Sequence, residues 1–124
     1  MENPSDNTSI FLQTADEWRQ WLQKNCKSTD SVWLVIYHKT ISKSSVRWHD
    51  AIEHALCYGW VDSKAVGRNQ ESCYLRFTPR NPKSKWGRRN RERAKKMIEN
   101  GYMTEYGKEL IEIAKQTGKW ELEQ

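Results

Sequence analysis

The chain has 124 residues, enough for one domain with a single modest core. Charged residues make up 30% and hydrophobic residues 36%, yet seven Trp and five Tyr supply the large buriable surfaces that a disordered chain lacks. The net charge is +5, and no secretory leader and no apolar run of membrane-crossing length can be read, so a cytoplasmic protein without membrane insertion is expected.

Residues 1–10 are polar and read as a flexible leader, with one domain over 11–124. Thr14 and Glu17 have the spacing of a capping box, in which the Thr hydroxyl takes an early N–H while the Glu reaches back. Trp18, Trp21, Leu22 and Asn25 follow at helical spacing, predicting a helix over 15–26 with both Trp facing the core. SVWLVIYH at 31–38 is β-branched and aromatic, predicting a strand buried on both faces. After the polar loop TISKSS, Trp48, Ile52, Ala55 and Leu56 share one face of a predicted helix over 48–58, with Gly59 placed to end it. WVDSKAV predicts a short strand and GRNQE a turn. SCYLRFT then predicts a second strand, in which Cys73, Leu75 and Phe77 alternate with Tyr74, Arg76 and Thr78. Pro79 and Pro82 stop that strand, since neither donates to a ladder. Ser84 stands at an N-cap position, predicting a helix over 85–99 with Trp86, Asn90, Ala94, Met97 and Ile98 on one face. Thr104 caps a last predicted helix over 105–117 with Tyr106, Leu110, Ile113 and Ala114 inward, and Trp120 folds back on the core. The α-β-α-β-β-α-α order predicts an α+β fold: a small, mostly antiparallel sheet packed by helices, with a C-terminal helical pair.

The three cysteines, Cys26, Cys57 and Cys73, are odd in number and lack CxxC spacing, so neither a disulfide framework nor a zinc site is expected. Cys57 lies on an apolar helix face, where a thiol is usually inert. His38, His49 and His54 form no HExxH pattern, and there is no GxSxG, Walker A or GxGxxG motif. No cofactor and no metal are therefore implied.

The informative stretch is FTPRNPKSKWGRRN at 77–90. From Arg76 to Lys96 ten Lys and Arg face one acid, Glu92, while the segment from Glu99 onward is acidic. A helix N-terminus favours anions, and each basic residue placed there opposes the dipole by about 0.3–1 kcal/mol. Arg80, Lys83, Lys85, Arg88 and Arg89 crowd that end, and a bound anion would relieve the conflict. The candidate ligand-binding set is Trp60, Asp62, Arg76, Arg80, Ser84, Trp86 and Asn90. In it Arg76 and Arg80 contact an anionic group, Ser84 and the helix end cap it, and Asp62 orients an arginine. Lys83, Lys85, Arg88, Arg89, Arg91 and Arg93 form a candidate nucleic-acid surface. The plainer alternative is a solvated basic face paired with the acidic C-terminal helix. Trp60 and Trp86 are core residues or base-stacking platforms, and Asn90 bridges the preceding loop or meets the ligand. Two further functions stay open: an enzyme on a small anionic substrate with Asp62 as general base, and a protein-interaction module.

ALCYGWVDS at 55–63, RFTPRNPKSKWGRRN at 76–90 and NGYMTEYGKELIEIAKQTGKW at 100–120 together resemble the YdeI/OmpD-associated, or bacteriocin-protection, family. EWRQWLQKN at 17–25 and VWLVIYHK at 32–39 extend the resemblance over about 11–120. The resemblance implies a small α+β fold of the YjbR/CyaY-like superfamily and a protective role without an established reaction. DNA-binding and iron-binding relatives are described in that superfamily, but an iron role needs an acidic ridge, and the first helix offers only Asp16 and Glu17. Ser63 stands where family members often have Gly, and Gly87 where they often have Ser; Gly87 removes a hydroxyl from the anion-binding helix end. On this basis the chain is expected to be a non-catalytic binding protein for an anionic partner, nucleic acid or a phosphate-bearing ligand.

Overall fold

The computed structural model describes residues 3–120. Its elements in chain order are β1 (Ser9–Ile10), α1 (Ala15–Asn25), β2 (Val32–Tyr37), α2 (Trp48–Leu56), β3 (Trp60–Asn69), β4 (Ser72–Pro79), α3 (Arg88–Glu99) and α4 (Glu105–Gln116). The fold is α+β, with the four-stranded sheet in the order β1-β2-β4-β3. The sheet is mixed: β4 pairs antiparallel with both β2 and β3, but β1 runs parallel to β2.

β1 falls in the segment read as a leader. Ser9 pairs with Trp33 and Ile10 with Leu34. A 3-10 turn over Asp6–Thr8 precedes it. Asp6 is held there by Arg68, whose Nε and Nη2 donate at 2.7 and 2.9 Å, and by the Tyr74 hydroxyl at 2.6 Å.

The capping box forms as the spacing predicts: Glu17 N–H donates to the Thr14 hydroxyl at 3.1 Å, and the Glu17 carboxylate accepts from Thr14 N–H. Trp18 and Leu22 are fully buried, and the Trp18 indole donates to Ala51 O at 3.0 Å, locking α1 onto α2. Trp21 is only partly buried, stacked on Trp18. β2 is buried on both faces. One face, through Val32, Leu34 and Ile36, joins the main core with Leu75, Phe77, Trp60 and the apolar sides of α1 and α2. The other joins Trp33 and Val35 to Tyr74 in a smaller cluster.

β3 is longer than the short strand predicted, because Gly67, Arg68 and Asn69 belong to it rather than to the turn. A register shift between Gly67 and Asn69 absorbs the extra residue. The turn shrinks to Gln70–Glu71, closed by Asn69 Oδ1 accepting from Glu71 N–H at 2.8 Å.

The largest local departure is the start of α3. The helix begins at Arg88 with Gly87 at the N-cap, not after Ser84. Ser84 closes a turn with Asn81, donating N–H to its carbonyl at 3.0 Å. The chain then stays extended so that Trp86 can turn inward, its N–H donating to Lys119 O and its ring packing on Trp120 at 5.0 Å. Trp120 does fold back as expected. Ala94 and Met97 form the buried face of α3, whereas Ile98 is 45% exposed. On α4 the buried positions are Gly107, Ile111 and Ala114; Tyr106, Leu110 and Ile113 sit at the margins. Thr104 is the N-cap residue of α4, but its hydroxyl donates to Cys57 O instead of capping.

Two glycines are required by geometry. Gly59 has φ +78°, and a Cβ there would lie 2.9 Å from Leu110 Cδ1. A Cβ on Gly107 would lie 2.6 Å from Leu56 O and 2.7 Å from Cys57 O, so α4 approaches the end of α2 too closely for any side chain.

Candidate functional site

The strand–loop–helix segment sorts its charges by burial. Around the start of α3 the exposed cations are Lys83, Lys85, Arg88 and Arg89. The α3 N-terminus they surround has no side-chain cap and no acid in its first turn. Arg88 lies 3.5 Å from Glu92, one turn on, with both side chains largely in solvent. Such a pair contributes about 0–1 kcal/mol and leaves the cation available. Lys83, Lys85 and Arg89 meet no carboxylate among the described residues. Arg91 and Arg93 are half-buried, and Arg93 Nη1 donates to Asn90 Oδ1 at 2.8 Å. Asn90 is therefore engaged within its own helix rather than with the preceding loop.

Arg80 is not a surface cation. It is 8% exposed. Its N–H donates to Gly59 O, its Nη2 donates to Lys85 O at 2.8 Å, and its guanidinium lies 4.0 Å from the Trp86 ring. Its Nε has no hydrogen-bond partner, and burial lowers its pKa. Burying an ion costs several kcal/mol, while a desolvated cation–π contact returns about 2 kcal/mol. The expected ion pair with Asp62 does not form: no carboxylate among the described residues lies within salt-bridge distance of Arg80 or Arg76.

Asp62 sits half-buried on β3 opposite Phe77, next to a register shift at Ser63. No hydrogen bond or ion pair engages its carboxylate among the described residues. Arg76 lies opposite Trp33 and Lys64, on the sheet face away from Phe77, with Nη1 at 3.4 Å from Ser63 Oγ. Trp60 and Trp86 are core residues, 1% and 4% exposed, so neither offers a free ring to a base. The Trp60 indole donates to Cys26 O at 3.1 Å. Ser84 is exposed in its turn, outside α3. The seven expected ligand residues thus do not converge on one point. Trp60 and Arg80 share a cavity wall, Trp86 lies beneath Arg80, and Arg76 faces elsewhere.

That cavity measures about 210 Å³ and is walled by Lys27, Tyr58, Trp60, Arg80, Tyr106 and Glu109 among others. A second, of about 510 Å³, lies where the β2 end meets the start of α2, between Tyr37, His38, Arg47, Trp48, His49 and Cys73. The sequence did not mark this second cavity, because its residues come from three separate segments. All three thiols are free, and burial raises each of their pKa values. No group of three or more His, Cys, Asp or Glu side chains able to hold a metal occurs among the described residues. No helix among them is long and apolar enough to cross a membrane.

The profile of a domain of unknown function, DUF8412, matches residues 10–110. That span covers most of the chain, and the protein belongs to this family. Searches of curated proteins and of solved structures returned no match.

Proposed function

We propose that this protein is a non-catalytic binding protein that engages the phosphates of nucleic acid through the exposed cations before and within the first turn of α3. The observation that carries the reading is that Lys83, Lys85 and Arg89 stand in solvent without carboxylate partners, beside a helix N-terminus with no cap of its own. Clustered unneutralised cations raise the local positive potential, and binding releases the counterions condensed on a phosphate chain. The resemblance to the YdeI/OmpD-associated proteins supports a cytoplasmic setting and a protective role. The other two readings have less support. Asp62 has no partner among the described residues to move a proton to or from. Ile98 and Tyr102 are exposed near the end of α3, too few for a broad docking patch.

Fluorescence anisotropy with labelled single- and double-stranded oligonucleotides, titrated at several salt concentrations, tests the proposal. Micromolar binding that weakens steeply with salt is expected. The Arg88→Ala/Arg89→Ala variant should flatten the salt slope by roughly 1–2. Absence of binding at low salt would refute it.

A further inference from the structure

Arg80 presents an unusual combination. It is a buried cation whose Nε finds no acceptor, whose Nη2 is engaged only by a backbone carbonyl, and which no carboxylate among the described residues neutralises. It also forms part of the wall of an open cavity of about 210 Å³. A buried guanidinium normally finds a counter-charge within the fold, and an orphaned buried polar atom calls for an explanation.

The rest of the cavity wall has a consistent chemistry. Tyr58 and Tyr106 lie nearly parallel, 6.4 Å apart at 28°. Lys27 brings a second cation, its Nζ 5.3 Å from the Tyr106 ring and without an ion pair among the described residues. Glu109 is the one acid among the described wall residues; it is exposed and outside salt-bridge distance of Arg80 and Lys27. Two cations, one acid and two tyrosine rings suit a ligand with an anionic head and a flat apolar body. The volume is below the roughly 300 Å³ at which pockets begin to take drug-sized molecules, so the ligand is smaller than that.

We propose that the cavity between Tyr58, Tyr106 and Arg80 binds a small aromatic anion, a carboxylate or phosphate monoester, with its head toward Arg80 and Lys27 and its ring against the tyrosines. A bound anion supplies the counter-charge that Arg80 lacks among the described residues. The proposal does not rest on the nucleic-acid reading, because Lys83, Arg88 and Arg89 take no part in this wall.

The test uses the full chain with benzoate and phenyl phosphate as probes, and benzamide as the neutral isostere. Binding is read by calorimetry and by ¹H–¹⁵N spectra resolving the Trp60 indole and the Arg80 Nε–H. Saturable binding of at least one anion, shifts at both resonances and no response to benzamide are expected. The stronger of the two anions identifies the head group. Arg80→Met should weaken binding about tenfold or more, the scale of a lost charge-assisted hydrogen bond. Glu109→Gln, a surface change that leaves the core untouched, should tighten binding several-fold and keeps the test valid if Arg80→Met fails to fold. Arg88→Ala/Arg89→Ala should bind the small anions as the wild type does. The proposal is overturned if neither anion saturates at millimolar concentration, if benzamide binds equally well, or if Glu109→Gln and a folded Arg80→Met both leave affinity unchanged.

Discussion

His54 shows how one buried side chain couples the helices. It lies on α2, 8% exposed, and its Nδ1 accepts a hydrogen bond from Arg19 Nη1 at 3.1 Å. Arg19 Nη2 donates onward to Tyr102 O at 2.9 Å, and the guanidinium packs over the Tyr58 and Tyr102 rings. Burial, and then the Arg19 charge, hold the His54 pKa below its ordinary 6.5; Asp50, Glu53 and Asp16 pull weakly the other way. The unfolded chain therefore takes up this proton more readily than the folded one, and stability is lost as pH falls through about 6.5. Urea midpoints should decline from pH 7.5 to 5.5, and His54→Gln should flatten that decline. An unchanged slope in the variant would show that His54 is not the titrating group. The Arg19 contact is not readable from spacing, since 35 residues separate it from His54.

Among the elements, α4 comes close to the end of α2 at Gly107, and the glycines report on it. Gly107→Ala would drive a methyl into the carbonyls of Leu56 and Cys57 and also disturb the Thr104–Cys57 contacts. A loss of about 1–3 kcal/mol is expected by urea denaturation. Gly87, at the N-cap of α3, has open space around it and an ordinary extended conformation. Gly87→Ser there should stabilise by a few tenths of a kcal/mol at most, by adding a cap hydroxyl. Equal losses at the two positions would contradict this account of α3 and α4. Gly59 was legible as a helix terminator from its place after an apolar face, whereas Gly107 sits inside a helix and nothing in its local sequence marks the close approach.

For the molecule as a whole, the N-terminal segment closes the sheet. Asp6 joins Arg68 and Tyr74 across more than sixty residues, and β1 completes the β2 edge. Arg68 and then Tyr74 hold the Asp6 pKa down to about 2 from its ordinary 3.8. That contribution is present above pH 3.8 and lost as pH falls toward 2. Asp6→Asn should speed hydrogen exchange at the Ser9 and Ile10 amides near neutral pH while leaving β4 protected. Unchanged exchange would show that strand pairing alone holds the segment. The same structure gives the surface its character: the cations of the loop and of the α3 first turn remain outside, and Arg80 is drawn in.

The helix and strand periods, the capping box at Thr14, the alternation of Cys73, Leu75 and Phe77, and the density of cations from Arg76 to Lys96 were all set by local sequence. They depend on neighbours a few residues apart, and the α+β class follows from their order. Tertiary contacts decided the rest. β1 is a strand because β2 offers an edge, and α3 starts late because Trp86 must reach Trp120. Asn90 turns to Arg93, and Asp62 and Arg80 go unpaired by each other. Above all, whether a cation faces solvent or lies against an indole is a matter of desolvation by distant chain. Arg80 and Arg88 look alike in the sequence, and only packing makes one a buried charge beside a cavity and the other a solvent-exposed cation near Glu92.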